Sequence, residues 1–201
     1  MRDDLLRLGS ATLGESGATP MHPRIRAAWA GATIAAPAYT VTCAMSDNLA
    51  IHAAVTAAPK GSALVVAVDP PERGYWGEVL TTAAEARGIA GLVIDGGVRD
   101  LAALEAHRFP VFNALIALRG ANKEGPGAIG RPTLVGDIEV CTGDWVVADR
   151  DGVVVVPAGR LDEVLKRGTA RADKEAAMFT DLRAGATTVQ LLGLDVSSID
   201  R

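Results

Sequence analysis

Leu92-Val93-Ile94-Asp95-Gly96-Gly97-Val98-Arg99-Asp100 passes from an apolar run through two glycines to a charged pair, and Leu101-Ala102-Ala103-Leu104 follows at once. The apolar run predicts a buried strand from Leu92 to Asp95, because no polar residue alternates within it. Gly96-Gly97 follows this strand, and Leu101 to His107 predicts a helix. The same order recurs upstream. Ala63-Leu64-Val65-Val66-Ala67-Val68 is a continuous apolar run, followed by a Pro/Gly-rich loop from Asp69 to Gly77 and a helix from Glu78 to Ala86 that Gly88 stops. Before it, Ile34 to Cys43 reads as a strand, and Asp47 as the N-cap of a helix over Asn48 to Val55 that Pro59-Lys60-Gly61 ends. Strands alternating with short helices indicate an α/β domain with parallel pairings.

Downstream, Pro110 precedes another apolar run, Val111 to Leu118. Thr133 to Val140 and Trp145 to Val156 carry short β segments, with Asp149-Arg150-Asp151-Gly152 as a turn. A long helix is predicted from Arg160 to Leu182, with Gly168 as a weak point inside it, and a short helix from Asp3 to Leu8 opens the chain. The expectation is a single layered α/β domain over residues 1–201, β-rich in its second half and closed by a long C-terminal helix.

Composition agrees with one folded domain. The 201 residues suffice for a substantial core, and a hydrophobic share of 49% excludes disorder for the bulk of the chain. Aromatic residues contribute only 4%, so Ala, Val, Leu and Gly must do the packing, as in helices set close against a sheet. A net charge of −4 with no basic run excludes a nucleic-acid partner. Cys43 and Cys141 lie far apart and form no metal-type pair, which fits a reduced compartment. The start Met-Arg-Asp-Asp has no apolar signal region and no stretch reaches membrane-spanning length, so a cytoplasmic protein without a membrane partner is expected.

Two loops place charge at a helix start just beyond a strand. In Gly74-Tyr75-Trp76-Gly77-Glu78-Val79-Leu80 the glycines permit close backbone approach, and the free N–H groups of the following helix can hold a carboxylate. Alternatively, Gly77 makes a turn and Glu78 complements the helix dipole. In Asp95-Gly96-Gly97-Val98-Arg99-Asp100, at the carboxyl end of a strand, Arg99 offers a carboxylate-binding fork and Asp100 a hard oxygen ligand for a divalent ion. Alternatively, Asp100 caps the next helix and Arg99 is a solvated neighbour. Glu175 falls on the apolar stripe Leu161, Leu165, Gly168, Ala172 and Phe179 of the C-terminal helix, where a carboxylate needs a role or a partner such as Arg171.

Other chemistries find little support. His22, His52 and His107 show no metal-ligand spacing, and His52 reads as a packed helix residue. There is neither a G-x-S-x-G elbow nor a P-loop. None of Lys60, Lys123, Lys166 and Lys174 sits in an apolar run that would depress its pKa for imine chemistry.

The stretch Gly77-Glu78-Val79-Leu80, a helix, then Gly88-Ile89-Ala90-Gly91-Leu92-Val93-Ile94-Asp95-Gly96-Gly97-Val98-Arg99-Asp100 resembles the G-[DE]-x-L … G-x-x-G-x-V-x-D-G-x-x-R-D pattern of the RraA-like family. That family contains 4-hydroxy-4-methyl-2-oxoglutarate aldolases, oxaloacetate decarboxylases and regulators of ribonuclease activity. The resemblance runs from Ala35 to Gly185. Ser46-Asp47-Asn48-Leu49-Ala50-Ile51-His52 resembles its G-D-N-x-x-x-H segment, with Ser46 in the glycine's place. Gly143 to Val153 resembles P-G-D-x-V-x-A-D-x-D-G-V, with Thr142 replacing the proline.

The resemblance implies swivelling-domain-type layers, a homotrimer or homohexamer with sites between subunits, and a class II pyruvate aldolase with oxaloacetate decarboxylase activity. It implies Mg²⁺ or Mn²⁺ held by Asp100 and waters, and an Arg99 that stabilises the enolate oxygen of a small 2-oxo acid. It further implies that the amides of Gly77, Glu78, Val79 and Leu80 hold substrate oxygens. Glu78, with Glu175 from the next subunit, would position the metal-bound water that moves protons. The rival reading is a regulator that docks on a ribonuclease without relevant catalysis. A methyltransferase is disfavoured because Val98-Arg99-Asp100 follows the glycines, and a phosphohistidine carrier because no histidine sits at a glycine-rich helix start.

Overall fold

In the computed structural model, which describes residues 1–200, the chain opens with helix α1 (Arg2–Gly14) and two short strands, β1 (Thr19–Pro20) and β2 (Arg26–Ala27). Strand and helix then alternate through β3 (Ile34–Cys43), α2 (Leu49–Ala57), β4 (Ala63–Ala67), β5 (Gly74–Trp76), α3 (Glu78–Arg87), β6 (Gly91–Val98), α4 (Leu101–His107) and β7 (Val111–Ile116). The second half carries β8 (Gly127–Ile129), β9 (Thr133–Val135), β10 (Ile138–Val140), β11 (Trp145–Ala148) and β12 (Val153–Val156) before the long helix α5 (Leu161–Arg183) and a short α6 (Thr188–Leu192). This is the mixed α/β architecture expected from the alternating pattern. No helix among the described residues is long and apolar enough to cross a membrane.

β3, β4, β6 and β7 run parallel as consecutive neighbours in a ten-stranded sheet of order β1-β12-β11-β3-β4-β6-β7-β2, with β5 added to β6 and β8 to β3. Their register sorts the side chains. Leu64, Leu92 and Val111 lie in one row and face α2, α3 and α4, whereas Val65, Val93 and Phe112 lie in the next row and face the opposite way. The second face is covered by Val146, Val153 and Val155 of β11 and β12 and by Val135 and Val140 of the β9–β10 hairpin, so the sheet curls around its own core. The outward-facing Val147, Val154 and Val156 complete a third core with Leu5, Leu8 and Leu13 of α1 and Leu161 and Val164 of α5. Alternating valines in β12 thus serve two cores at once, as a strand period of two requires.

Several local expectations need correction. The strand does not end at Asp95: β6 continues through both glycines to Val98, with a register irregularity between Ile94 and Gly97. A Cβ at Gly97 would overlap the Arg73 carbonyl and crowd Ala117 and Leu115, so glycine here lets β5 and the end of β7 close on β6. Gly168 does not weaken α5: it is buried, with Leu8 and Leu13 where its side chain would be, and brings α1 close to α5. The apolar stripe of α5 stops serving the body after Ala172, and Phe179 is half exposed. α1 is longer than expected and kinks at Gly9 (φ 76°), where the Asp149 carboxylate accepts from Ser10 N at 2.7 Å and Ser10 Oγ at 2.6 Å and caps the second half. Asp144 likewise accepts from Cys141 N and Ala158 N. Asp144 and Asp149 of the Gly143–Val153 motif are therefore structural.

Candidate active site

β5, the end of β6 and the first turns of α2 and α3 surround a cavity of about 240 Å³. Its wall includes Asn48, His52, Gly77, Arg99, Asp100 and Lys123. The charged pair arrives there because β6 ends at Val98 and Asp100 takes left-handed backbone (φ 59°), turning the chain into α4. Asp100 occupies the N-cap position of α4, yet its side chain makes no cap there. Instead Oδ2 accepts from Glu78 N of the neighbouring helix α3 at 3.1 Å. The carboxylate complements the positive end of α3, and its other oxygen has no protein partner among the described residues. Arg99 Nε lies 3.9 Å from Asp100 Oδ2, and both side chains are just over 40% exposed, at 44% and 43%.

Gly77 makes this approach possible. Its backbone is extended (φ −168°), and a Cβ would overlap Asp100 Oδ2 and lie 3.2 Å from Arg99 Cγ. The first-turn amides of Val79 and Leu80 meet no acceptor among the described residues, as the start of a helix leaves them. Gly77, Val79, Leu80, Arg99 and Asp100 therefore share one cavity. The Glu78 side chain does not line it. It points to His107, whose Nε2 lies 3.7 Å from Oε1 and whose Nδ1 pairs with Glu85 at 2.8 Å. Hydrogen bonding to Glu85, and then to Glu78, raises the His107 pKa. Glu175 lies outside the cavity altogether: Arg171 holds it at 2.8 Å and also pairs with Glu15, the residue that follows α1. The partner expected for it from helix spacing is thus present within the chain.

Sequence reasoning passed over three lining residues. Asn48, rather than Asp47, takes the N-cap position of α2. Asp47 sits one residue earlier, accepting from Leu49 N at 2.7 Å with one oxygen and from Glu124 N and Gly125 N with the other. Burial pushes its carboxyl up, but these N–H groups outweigh it and hold the pKa below the usual value. Ser46, where the resemblance has glycine, adopts left-handed backbone (φ 61°). Asn48 is buried at 5% exposure and donates from Nδ2 to Tyr75 O at 2.8 Å, tying α2 to β5. His52, one turn on, is no ordinary packed residue: its buried Nε2 has no partner, and neither has Asn48 Oδ1. Burial, and then the charge of Lys123, lowers the His52 pKa. The N-x-x-x-H spacing could have shown that Asn48 and His52 share a helix face; the loop carrying Lys123 could not be placed from the sequence.

Asp95, assigned to the same loop by sequence, leaves it. The strand period turns it to the other face, where Arg24 binds it through Nη2 at 2.6 Å and Nε at 2.8 Å and Gly136 N donates at 2.9 Å. A larger hollow of about 740 Å³, lined by Met21, Pro23 and Ile25 among others, contains none of the Arg99–Asp100 groups. Burial pushes the Cys43 thiol up to about 12, so it offers no thiolate nucleophile. Among the described residues no three His, Cys, Asp or Glu side chains cluster as metal ligands.

A family model described as RraA-like, Aldolase/RraA, matches residues 10–155. A protein of Halalkalibacterium halodurans named "Putative 4-hydroxy-4-methyl-2-oxoglutarate aldolase" is 37% identical over 145 residues, covering 71% of this chain and 69% of its own. Among solved structures, an uncharacterized protein from Pseudomonas syringae pv. tomato is similar with a TM-score of 0.85 at 28% identity, over 94% of this chain and 91% of its own. Streptomyces coelicolor RraAS2, described as an unusual member of the RNase ES inhibitor RraA protein family, gives 0.76 at 27% identity, over 90% and 96%.

Proposed function

Because the chain belongs to the RraA-like family, we propose that it is a carbon–carbon lyase of small 2-oxo acids, a divalent-metal pyruvate aldolase that also decarboxylates oxaloacetate. The observation that carries this reading is the convergence of Arg99, Asp100 and the free first-turn amides of α3 on one cavity. Breaking the bond beta to a ketone leaves negative charge on the carbonyl oxygen, and a fixed guanidinium beside it lowers the barrier. Arg99 supplies that donor. The amides of Gly77, Glu78, Val79 and Leu80 belong to the helix start that receives the 2-oxo acid's carboxylate; Glu78 N is already engaged by Asp100, which leaves Val79 and Leu80 as the open donors.

The residues present fit a hard divalent ion. Asp100 is a partly exposed carboxylate with one oxygen engaged and the other without a protein partner, and Mg²⁺ or Mn²⁺ retains several waters, so a single carboxylate can hold it. When bound, the ion supplies Lewis-acid stabilisation of the enolate charge. Retro-aldol cleavage removes the C4 hydroxyl proton, breaks C3–C4 and returns a proton to C3; decarboxylation of oxaloacetate produces the same enolate. Beside Asp100, Glu78 is the carboxylate assigned to moving that proton, for which its side chain must turn from His107 towards the cavity. Glu175 can take part only from a neighbouring subunit, since Arg171 holds it away from this chain's own cavity. The reading therefore includes a homotrimer or homohexamer with shared sites.

A coupled assay for pyruvate release from 4-hydroxy-4-methyl-2-oxoglutarate and from oxaloacetate, with Mg²⁺, tests the reading, and no release from either would overturn it. The description of the Streptomyces neighbour favours a second reading, a protein that binds a ribonuclease. Inhibition of ribonuclease by a chain that releases no pyruvate would establish that one instead.

A further inference from the structure

The two proposed reactions differ in what they demand of solvent. Aldol cleavage takes a proton from the C4 hydroxyl and returns one to C3, so it consumes none. Decarboxylation of oxaloacetate releases CO₂ and leaves the electron pair of the broken bond in the enolate. That enolate needs a proton at C3 which the substrate does not bring. Each decarboxylation therefore leaves the proton carrier one proton short. Glu78 is the assigned carrier, yet its side chain points away from the cavity to His107. His107 ends α4 and lies between two carboxylates of α3, Glu78 and Glu85. An ionised carboxylate can only accept, so the 2.8 Å contact with Glu85 places a proton on Nδ1. Nε2 is then the atom turned to Glu78 Oε1, at 3.7 Å. Without a proton there, a ring lone pair faces a carboxylate; with one, an imidazolium lies between two anions. The carboxyl end of α4 also favours a cation at its last residue. The raised His107 pKa, owed first to the hydrogen bond with Glu85, agrees with this. Its charged neighbours on α4, Glu105 and Arg108, make no pair with it among the described residues, and Arg108 lies over the Trp29 ring.

Resting on the lyase reading above, we propose that His107 recharges Glu78 with the proton that decarboxylation consumes. The imidazolium passes its Nε2 proton to the Glu78 carboxylate, which turns to the cavity and delivers it to C3 of the enolate. The neutral ring then takes a proton from water, so one solvent proton enters for each CO₂ that leaves. Histidine suits the task because it is the side chain that gains and loses a proton near neutral pH. The exposures fit the movement: His107 is 28% exposed, which admits water to the ring, and Glu78 is 57% exposed, which gives its side chain room to close 3.7 Å and to swing back. Glu85 fixes the tautomer and the direction of the ring. His107 acts through Glu78 and never meets the substrate, so it is a positioning residue. Its loss should fall on the reaction that consumes a proton and largely spare the one that recycles its own.

The test uses the Mg²⁺-loaded full chain, His107→Gln and Glu85→Gln. It compares kcat for oxaloacetate with kcat for 4-hydroxy-4-methyl-2-oxoglutarate. It also follows by NMR the exchange of pyruvate methyl hydrogens for deuterium in D₂O, which draws on solvent in the same way. His107→Gln should lower decarboxylation and exchange by roughly 10- to 100-fold relative to aldol cleavage; any general loss from misplacing Glu78 cancels in the ratio. Glu85→Gln removes the anion that raises the His107 pKa, so decarboxylation should decline from a lower pH than in the parent while aldol cleavage keeps its profile. Glu85 is on the surface of α3, so this variant folds even if His107→Gln does not. If the parent performs both reactions but His107→Gln keeps their ratio within threefold, the relay is wrong while the lyase reading stands, whether or not both rates fall. An unmoved decarboxylation profile in Glu85→Gln refutes it as well. A parent inactive on both acids overturns the lyase reading and the relay together.

Discussion

Gly77→Ala separates the chemistry of the cavity from the stability of the fold. Alanine adopts the extended backbone of this position without strain, so the methyl group acts only through what it meets. It meets Asp100 Oδ2 and, at 3.2 Å, Arg99 Cγ. Both belong to side chains more than one-third exposed, which can swing aside. The swing breaks the 3.1 Å bond from Glu78 N to Asp100, an N-cap-like contact worth about 1 kcal/mol. In a domain of this size that lowers the unfolding midpoint by about 2–4 °C. Turnover should suffer far more, because shifting the reacting groups by about 1 Å costs on the order of 10²-fold. Gly74→Ala is the contrast. Its methyl would overlap the backbone carbonyl of Ala117, which cannot swing aside, so β5 itself must move and stability should fall by several times as much. The assay is pyruvate release beside a thermal melt for each variant. Turnover of Gly77→Ala within threefold of the parent, at an unchanged melt, would refute the placement of Arg99 and Asp100 in the reaction.

Arg99→Lys retains the charge but loses the planar fork, and should lower kcat on oxaloacetate by roughly 10²–10³-fold, which steady-state kinetics will show. Excess chelator should abolish pyruvate release and Mg²⁺ or Mn²⁺ restore it, while Asp100→Ala stays inactive with either ion. Mixed Arg99→Ala and Glu175→Ala subunits, each inactive alone, should regain activity if the two residues come from different chains; light scattering reporting an active monomer would rule out the shared site. Burial pushes the Asp95 carboxyl up, but Arg24 and the Gly136 N–H outweigh it and hold the pKa below 3.8. A depressed folded pKa contributes stability that is present above about 3.8 and is lost as the pH falls through the folded value. Acid unfolding followed by circular dichroism should therefore show a smaller loss of stability below pH 4, approximately, in Asp95→Asn than in the parent.

Elements with a strong period were legible from the chain alone. β3 and α4 have the predicted bounds, and β4, α3 and α5 differ only at their ends. What escaped was decided by distant parts of the chain. β5 lies in a Pro/Gly-rich stretch with no strand pattern, and pairs with β6 because Gly74 and Gly97 let the backbones meet. Gly96-Gly97 lie past the expected end of the strand and belong to it for the same reason. In the candidate site, Arg99 and Asp100 were visible because they end a buried strand and start a helix. The unpaired oxygen of Asn48 was not, since it exists only once Tyr75 has taken the other side of the amide. Glu175 was recognised as a carboxylate on an apolar stripe with Arg171 in reach, and that pair forms; the further pairing of Arg171 with Glu15 was not legible, since it depends on where α1 ends.

Asp144 and Asp149 stitch loops and a helix kink together well away from the cavity. Family recognition therefore draws partly on residues that only hold the scaffold, and partly on the pattern that ends in Arg99-Asp100. A descendant could keep both aspartates and most of that pattern and fold alike, yet lack Arg99 and with it the proposed turnover. Sorting relatives by the pair at positions 99 and 100, instead of by overall likeness, would divide those equipped for the reaction from those that inherited only the scaffold.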